Sequence, residues 1–134
     1  MATILLVDDD PFQAYAHRVA LEREFASIER ALSANEAFIR VEQPEFAERL
    51  GLIVVGLRLP GLAGPAFVSE LSARVPGVPL LVIGRDGETA AEYSDQDLRF
   101  LPRETSSDDL LAVVRSMFPW NGRRGSLRLV KPGS

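Results

Sequence analysis

Three short, uninterrupted apolar runs constrain this chain more than anything else in it. Ile4-Leu5-Leu6-Val7, Leu52-Ile53-Val54-Val55 and Val78-Pro79-Leu80-Leu81-Val82-Ile83 are each of strand length, and none alternates with polar residues. A strand with one wet face alternates apolar and polar side chains. A continuous apolar run suits a strand buried on both faces, as in a parallel sheet covered by helices. Two weaker runs, at 27–32 and 97–101, complete a set of five.

Helical patterns fill the gaps. Asp10-Pro11 puts a capping residue ahead of a proline at the first helical position. Phe12, Ala16, Val19 and Ala20 then recur at helical spacing as the apolar stripe of a first helix. Ser33-Ala34-Asn35-Glu36 has the spacing of a capping box; Ala37, Phe38 and Val41 follow, and Pro44 is expected to interrupt that helix. Gly64-Pro65 opens a third helix carrying Phe67, Val68 and Leu71, and Pro76-Gly77 closes it. Ser106 or Ser107, with Asp108 and Asp109 in the first turn, opens a last helix. Its stripe is Leu110, Val113, Val114 and Met117, and it ends at Pro119. The polar stretch 85–96 predicts only a short or irregular fourth helix.

Strands alternating with helices require right-handed crossovers, hence a doubly wound α/β sheet. Five strands of this length suit the flavodoxin-like (βα)5 order 2-1-3-4-5, in which ligands bind beyond the carboxyl ends of the strands. The informative residues are therefore those following Val7, Val55, Ile83 and Leu101. They are Asp8-Asp9-Asp10, then Gly56, then Gly84, then Pro102-Arg103. Two or three carboxylates, two glycines and one arginine should gather at one rim.

Composition narrows the chemistry. With no cysteine, disulfides, thiolate catalysis and cysteine-bound metals are excluded. No apolar run approaches the roughly 18 residues that span a bilayer. The apolar start has no basic n-region and runs straight into three acids, so it does not read as a signal peptide. A cytoplasmic protein is expected. All Asp and Glu precede residue 110, while Arg123, Arg124, Arg128 and Lys131 give the tail +4; the net charge of −4 therefore leaves −8 on the rest. An acidic body argues against nucleic-acid binding by this domain. The expected organisation is one domain over 1–120 and a basic tail or linker over 121–134. His17 is the only histidine. It falls in the first helix, away from the strand ends, and is expected to be exposed; no Ser–His–Asp arrangement or histidine metal site follows from it.

Ile4-Leu5-Leu6-Val7-Asp8-Asp9-Asp10-Pro11 resembles the opening of bacterial response-regulator receiver domains. Leu52-Ile53-Val54-Val55-Gly56-Leu57-Arg58-Leu59-Pro60-Gly61-Leu62-Ala63-Gly64 resembles the same family's third strand and loop, with Pro60 and Gly64 four and eight residues beyond position 56. Phe100-Leu101-Pro102-Arg103 resembles the end of its fifth strand. The resemblance covers residues 2 to about 118.

The departures carry as much information. By this resemblance the phosphoacceptor Asp falls on Gly56, the hydroxyl residue that meets the phosphoryl group on Gly84, and the lysine on Arg103, followed by Glu104 instead of proline. The acidic pair that helps hold Mg²⁺ survives as Asp8 and Asp9. Phosphoryl transfer needs a carboxylate nucleophile and a neutralising metal, and Gly56 has no side chain to offer. No cofactor is expected, and Mg²⁺ binding is expected to be weak at most, since Mg²⁺ prefers octahedral oxygen ligands. Arg103, or Arg58, is expected to pair with Asp8 or Asp9 where a metal would sit. Asp10 reads as a plain helix cap. Phe100 resembles the family's switch aromatic, either resting inward over Gly84 or packing ordinarily.

The resemblance thus implies a degenerate receiver, a phosphorylation-independent interaction module rather than an enzyme. Its partners would be a signalling protein or a histidine kinase, or a second copy docked through the surface of helix four, strand five and helix five, including Arg99, Arg103 and Glu104. Two alternatives stand beside it. One is a small-ligand or anion sensor that uses the space vacated at Gly56 and Gly84. The other is a receiver with a displaced acceptor, for which Asp86 is the spare carboxylate.

Overall fold

A computed structural model of the chain describes residues 2–56, 64–84, 90–93 and 98–118. The strands are β1 (Thr3–Val7), β2 (Ile28–Ala31), β3 (Leu50–Val55), β4 (Leu80–Ile83) and β5 (Arg99–Leu101). The helices are α1 (Pro11–Leu21), α2 (Ala34–Val41), α3 (Pro44–Arg49), α4 (Gly64–Arg74) and α5 (Ser107–Met117). The five strands form one sheet in the order β2-β1-β3-β4-β5, with every neighbouring pair parallel.

The uninterrupted runs are explained by what covers the sheet. Leu5, Val7, Ile53, Val55, Leu80 and Val82 point into a core closed by Ala37, Val41, Phe46, Phe67, Val68 and Leu71 of α2, α3 and α4. Their neighbours Ile4, Leu6, Leu52, Val54, Leu81 and Ile83 point the other way, into a core closed by Ala14, Ala20, Leu21, Leu110, Leu111 and Val114 of α1 and α5. Period-two side chains with an apolar layer on each face leave no place for a polar residue in the central strands. Burying each such aliphatic side chain contributes about 1.5–3 kcal/mol.

Local signals set most helix ends. Asp10 caps α1, its side chain accepting from the N–H groups of Phe12 and Gln13. Ser33 Oγ accepts from Glu36 N at 3.1 Å, and Glu36 reaches back to the N–H of Leu32. Ser106, not Ser107, caps α5.

Two expectations are corrected. Pro44 does not simply interrupt a helix; it starts α3. Its fixed φ and absent N–H suit the first helical position, and the restart buries Phe46 at 4% exposure between the guanidinium groups of Arg40 and Arg49. The short or irregular fourth helix expected in 85–96 is a single 3-10 turn, Ala90–Tyr93, whose Tyr93 ring is buried. The rest of 85–96 lies outside the described residues. The stripe read for α1 is on the wrong face: of its four members only Ala20 is buried, while Phe12 is 86% and Val19 45% exposed, and Tyr15 is 72% exposed beside them. The inward positions are instead Ala14, Ala20 and Leu21, with Gln13 and His17 half-buried between them.

Candidate functional site: a closed acidic rim

The carboxyl ends of β1, β3, β4 and β5 deliver the rim residues as the topology requires. Asp8 extends β1, its N–H donating to Ala31 O at 3.0 Å, and it is fully buried. Gly56 extends β3, donating to Val7 O at 2.8 Å, and Gly84 extends β4, donating to Leu101 O at 2.8 Å. Asp9 and Asp10 are half-buried beside Asp8, and Arg103 is half-buried in the turn after β5.

A buried carboxylate must be fully hydrogen-bonded or it destabilises the fold. Asp8 is satisfied locally. Oδ1 accepts from Asp10 N at 2.9 Å, and Oδ2 accepts from Gln13 Nε2 at 3.1 Å. The same Gln13 amide donates to Gly56 O at 3.0 Å, tying α1 to the ends of β1 and β3. His17, one turn further along α1, holds Nδ1 3.6 Å from Asp8 Oδ2. That nitrogen is buried and makes no hydrogen bond. His17 is thus turned toward the rim with 17% of its side chain exposed, not outward as expected.

The arginine expected against Asp8 or Asp9 does not meet the Asp8 carboxylate among the described residues. Arg30 Nε donates to the Asp8 backbone oxygen instead, at 3.1 Å. Amide and main-chain N–H groups fill the coordination sphere first. Arg58 and Asp86 lie outside the described residues.

Among the described residues, other side chains stand where a Cβ on either glycine would begin. A Cβ on Gly56 would stand 3.0 Å from both Asp8 Oδ2 and Gln13 Nε2. A Cβ on Gly84 would stand 2.4 Å from Phe100 Cζ. Phe100 therefore rests inward over Gly84, half-buried, its ring centroid 5.6 Å from that of Tyr93.

These residues do not fit Mg²⁺. Asp8 Oδ2 and Gly56 O both meet the Gln13 amide, Gly56 brings no carboxylate, and no group of three or more His, Cys, Asp or Glu among the described residues is arranged to hold a metal ion. Mg²⁺ demands near-octahedral oxygen coordination.

Sequence reasoning named Asp8, Asp9, Gly56, Gly84, Phe100 and Arg103 but not Gln13 or His17. The available signal was their i,i+4 spacing on the α1 face that starts directly after the acids.

A doubly wound five-stranded parallel sheet with two acids at the end of its first strand defines the class of the receiver fold. The family model of the response regulator receiver domain matches residues 4–115, and the chain belongs to that family, a module of two-component signalling. No curated protein matches the chain. Among solved structures it is similar to an adenylate cyclase from Rhodopirellula baltica (24% identity, TM-score 0.73, covering 85% of this chain and 84% of that one). It is also similar to the chemotaxis protein CheY4 from Vibrio cholerae (20%, 0.72, 88% and 99%). A third is a CheY-like receiver domain protein from Methanospirillum hungatei JF-1 (23%, 0.71, 87% and 92%). These likenesses establish the fold. Among the described residues no helix is long and apolar enough to cross a membrane.

Proposed function

We propose that this domain is a pseudo-receiver: a cytoplasmic protein-interaction module whose state does not depend on phosphorylation. The observation that carries the reading is the Gln13 amide bound at once to Asp8 Oδ2 and Gly56 O. Where the chemistry of phosphoryl transfer needs a carboxylate nucleophile with a metal beside it, this chain has a backbone carbonyl and a neutral side-chain donor.

The inward Phe100 supports the same reading. In a switchable receiver a hydroxyl drawn toward the phosphoryl group would give the aromatic residue its cue. Here Gly84 has no hydroxyl, and its bare Cα lets the ring lie inward without one. The domain then presents one surface to a signalling protein, a histidine kinase or a second copy. The 3-10 turn, β5 and the start of α5 are the proposed contact face, with Arg99 and Glu104 exposed and Arg103 half-buried on it.

Acetyl phosphate with Mg²⁺, followed by intact-mass measurement, tests the chemical half. The expected spectrum has no added phosphoryl mass; a stoichiometric adduct would refute it and would direct attention to Asp86. A pull-down with the intact chain tests the other half. Partner capture should be equal with and without acetyl phosphate, and a phosphate-dependent partner would overturn the reading.

A further inference from the structure

We infer that Gln13 is a built-in substitute for a divalent cation, its amide occupying the place between Asp8 and Gly56 that an ion would otherwise take. The inference rests on the pseudo-receiver reading and assigns a cause to it within α1.

The geometry is that of a bridging ligand. One nitrogen, Gln13 Nε2, lies 3.1 Å from a carboxylate oxygen of Asp8 and 3.0 Å from the carbonyl oxygen of Gly56. Those two oxygens come from adjacent strands, β1 and β3, whose ends are held in register through Val7 and Val55. A cation placed between them would serve both at once. A primary amide nitrogen carries two hydrogens, enough to serve both acceptors.

The amide satisfies the oxygens without adding charge. Asp8 is fully buried, and its other oxygen takes Asp10 N at 2.9 Å. Any cation entering would first have to displace the Gln13 amide and break both of its bonds. Hard cations such as Mg²⁺ and Mn²⁺ also give up hydration to enter a site. The two hydrogen bonds already in place, one of them to the Asp8 carboxylate, must be broken before such an ion gains anything.

Gln13 is placed to do this by its own helix. The Asp10 side chain accepts from Gln13 N at 3.4 Å, so the residue stands in the first turn of α1. There the side chain points back over the strand ends. At the neighbouring position, Phe12 points to solvent. The helix therefore turns a polar residue inward and an aromatic one outward, against the preference of both. A bridging role for Gln13 accounts for that inversion.

The test uses Mn²⁺ as the probe ion, with EDTA and Ca²⁺ as comparisons at matched ionic strength. Thermal melting of the wild-type chain should be unchanged between EDTA and millimolar Mn²⁺. Gln13→Ala should melt lower in EDTA and recover by about 5 °C at Mn²⁺ near ten times its dissociation constant. Gln13→Met, which keeps the bulk and removes the donor, should behave as Gln13→Ala does. Asp8→Asn in the Gln13→Ala background should abolish the recovery.

Two outcomes would overturn the inference. One is a Gln13→Ala protein that gains nothing from Mn²⁺. The other is a wild-type protein that gains as much as the variant. Should the variants not fold, paramagnetic broadening of the wild-type Gly56 amide by Mn²⁺ decides the matter alone: none is expected, and site-specific broadening refutes the inference. These readouts separate the inference from the reading beneath it. Wild-type chain that takes up no phosphoryl mass yet broadens at Gly56 would sink the role of Gln13 and spare the pseudo-receiver.

Discussion

Gly84 and Phe100 each make sense only with the other. The ring occupies the volume where any larger residue at 84 would begin, with Phe100 Cζ 2.4 Å from the place of a Cβ. Gly84→Ser would restore the hydroxyl that the family resemblance calls for, yet it would collide with the ring before that hydroxyl could bind anything. The expected outcome is a loss of about 1–3 kcal/mol in denaturant unfolding, as for other overpacked sites. It should come with loss of the Tyr93–Phe100 nuclear Overhauser contacts as the ring swings out. Unchanged stability with those contacts intact would contradict this account. The sequence made plain what positions 56 and 84 lack, because a glycine is legible as an absence. It did not reveal that Gln13 stands beside Gly56, and it left Phe100 over Gly84 as one of two readings; both residues come from other elements, and only the fold brings them there.

At the scale of elements, helix starts were legible, and so were the buried faces of α2, α4 and α5, but not that of α1. Capping residues name a start independently of which face is buried, so α1, α2 and α5 begin near where Asp10, Ser33 and Ser106 predict. Replacing Ser33 with Ala should remove the bond to Glu36 N and cost about 1 kcal/mol, measurable by urea unfolding. The α1 stripe failed because a count of large apolar residues takes their burial for granted. Phe12, Tyr15 and Val19 lie outward, and the rim claims the inward positions for Gln13 and His17. A double change of Phe12 and Tyr15 to Ser should therefore leave stability within about 0.5 kcal/mol. Ala14→Leu, on the face that the sequence reading left out, should destabilise by about 1–3 kcal/mol. The opposite ranking in a thermal melt would restore the original stripe.

At the scale of the whole molecule, continuous apolar runs marked the central strands, since central parallel strands tolerate no polar residue on either face, and the doubly wound order expected of five such strands is the one found. The sequence could not indicate how the helices on one face are tied together at the surface, because those ties join residues far apart in the chain. Arg23 pairs with Asp108 at 3.1 Å. Arg115 grips Glu24 with both Nε and Nη2, fastening the turn after α1 to α5. The hydrogen bond from Arg115, helped by its charge and that of Arg23, holds the Glu24 carboxyl below its ordinary value. A carboxylate whose pKa is lower folded than unfolded stabilises the fold above its unfolded value, about pH 4.3 for Glu. That contribution disappears as pH falls through the lower, folded value. Arg115 stays charged throughout, its own pKa being raised. Both groups are at the surface, so the effect should be small and should fade with added salt. Glu24→Gln should accordingly melt slightly below the wild type at neutral pH and low salt. The gap should narrow below about pH 4 and close in more acid solution. A gap that persists unchanged in acid or in high salt would mean that Glu24 acts by packing and that its charge is incidental.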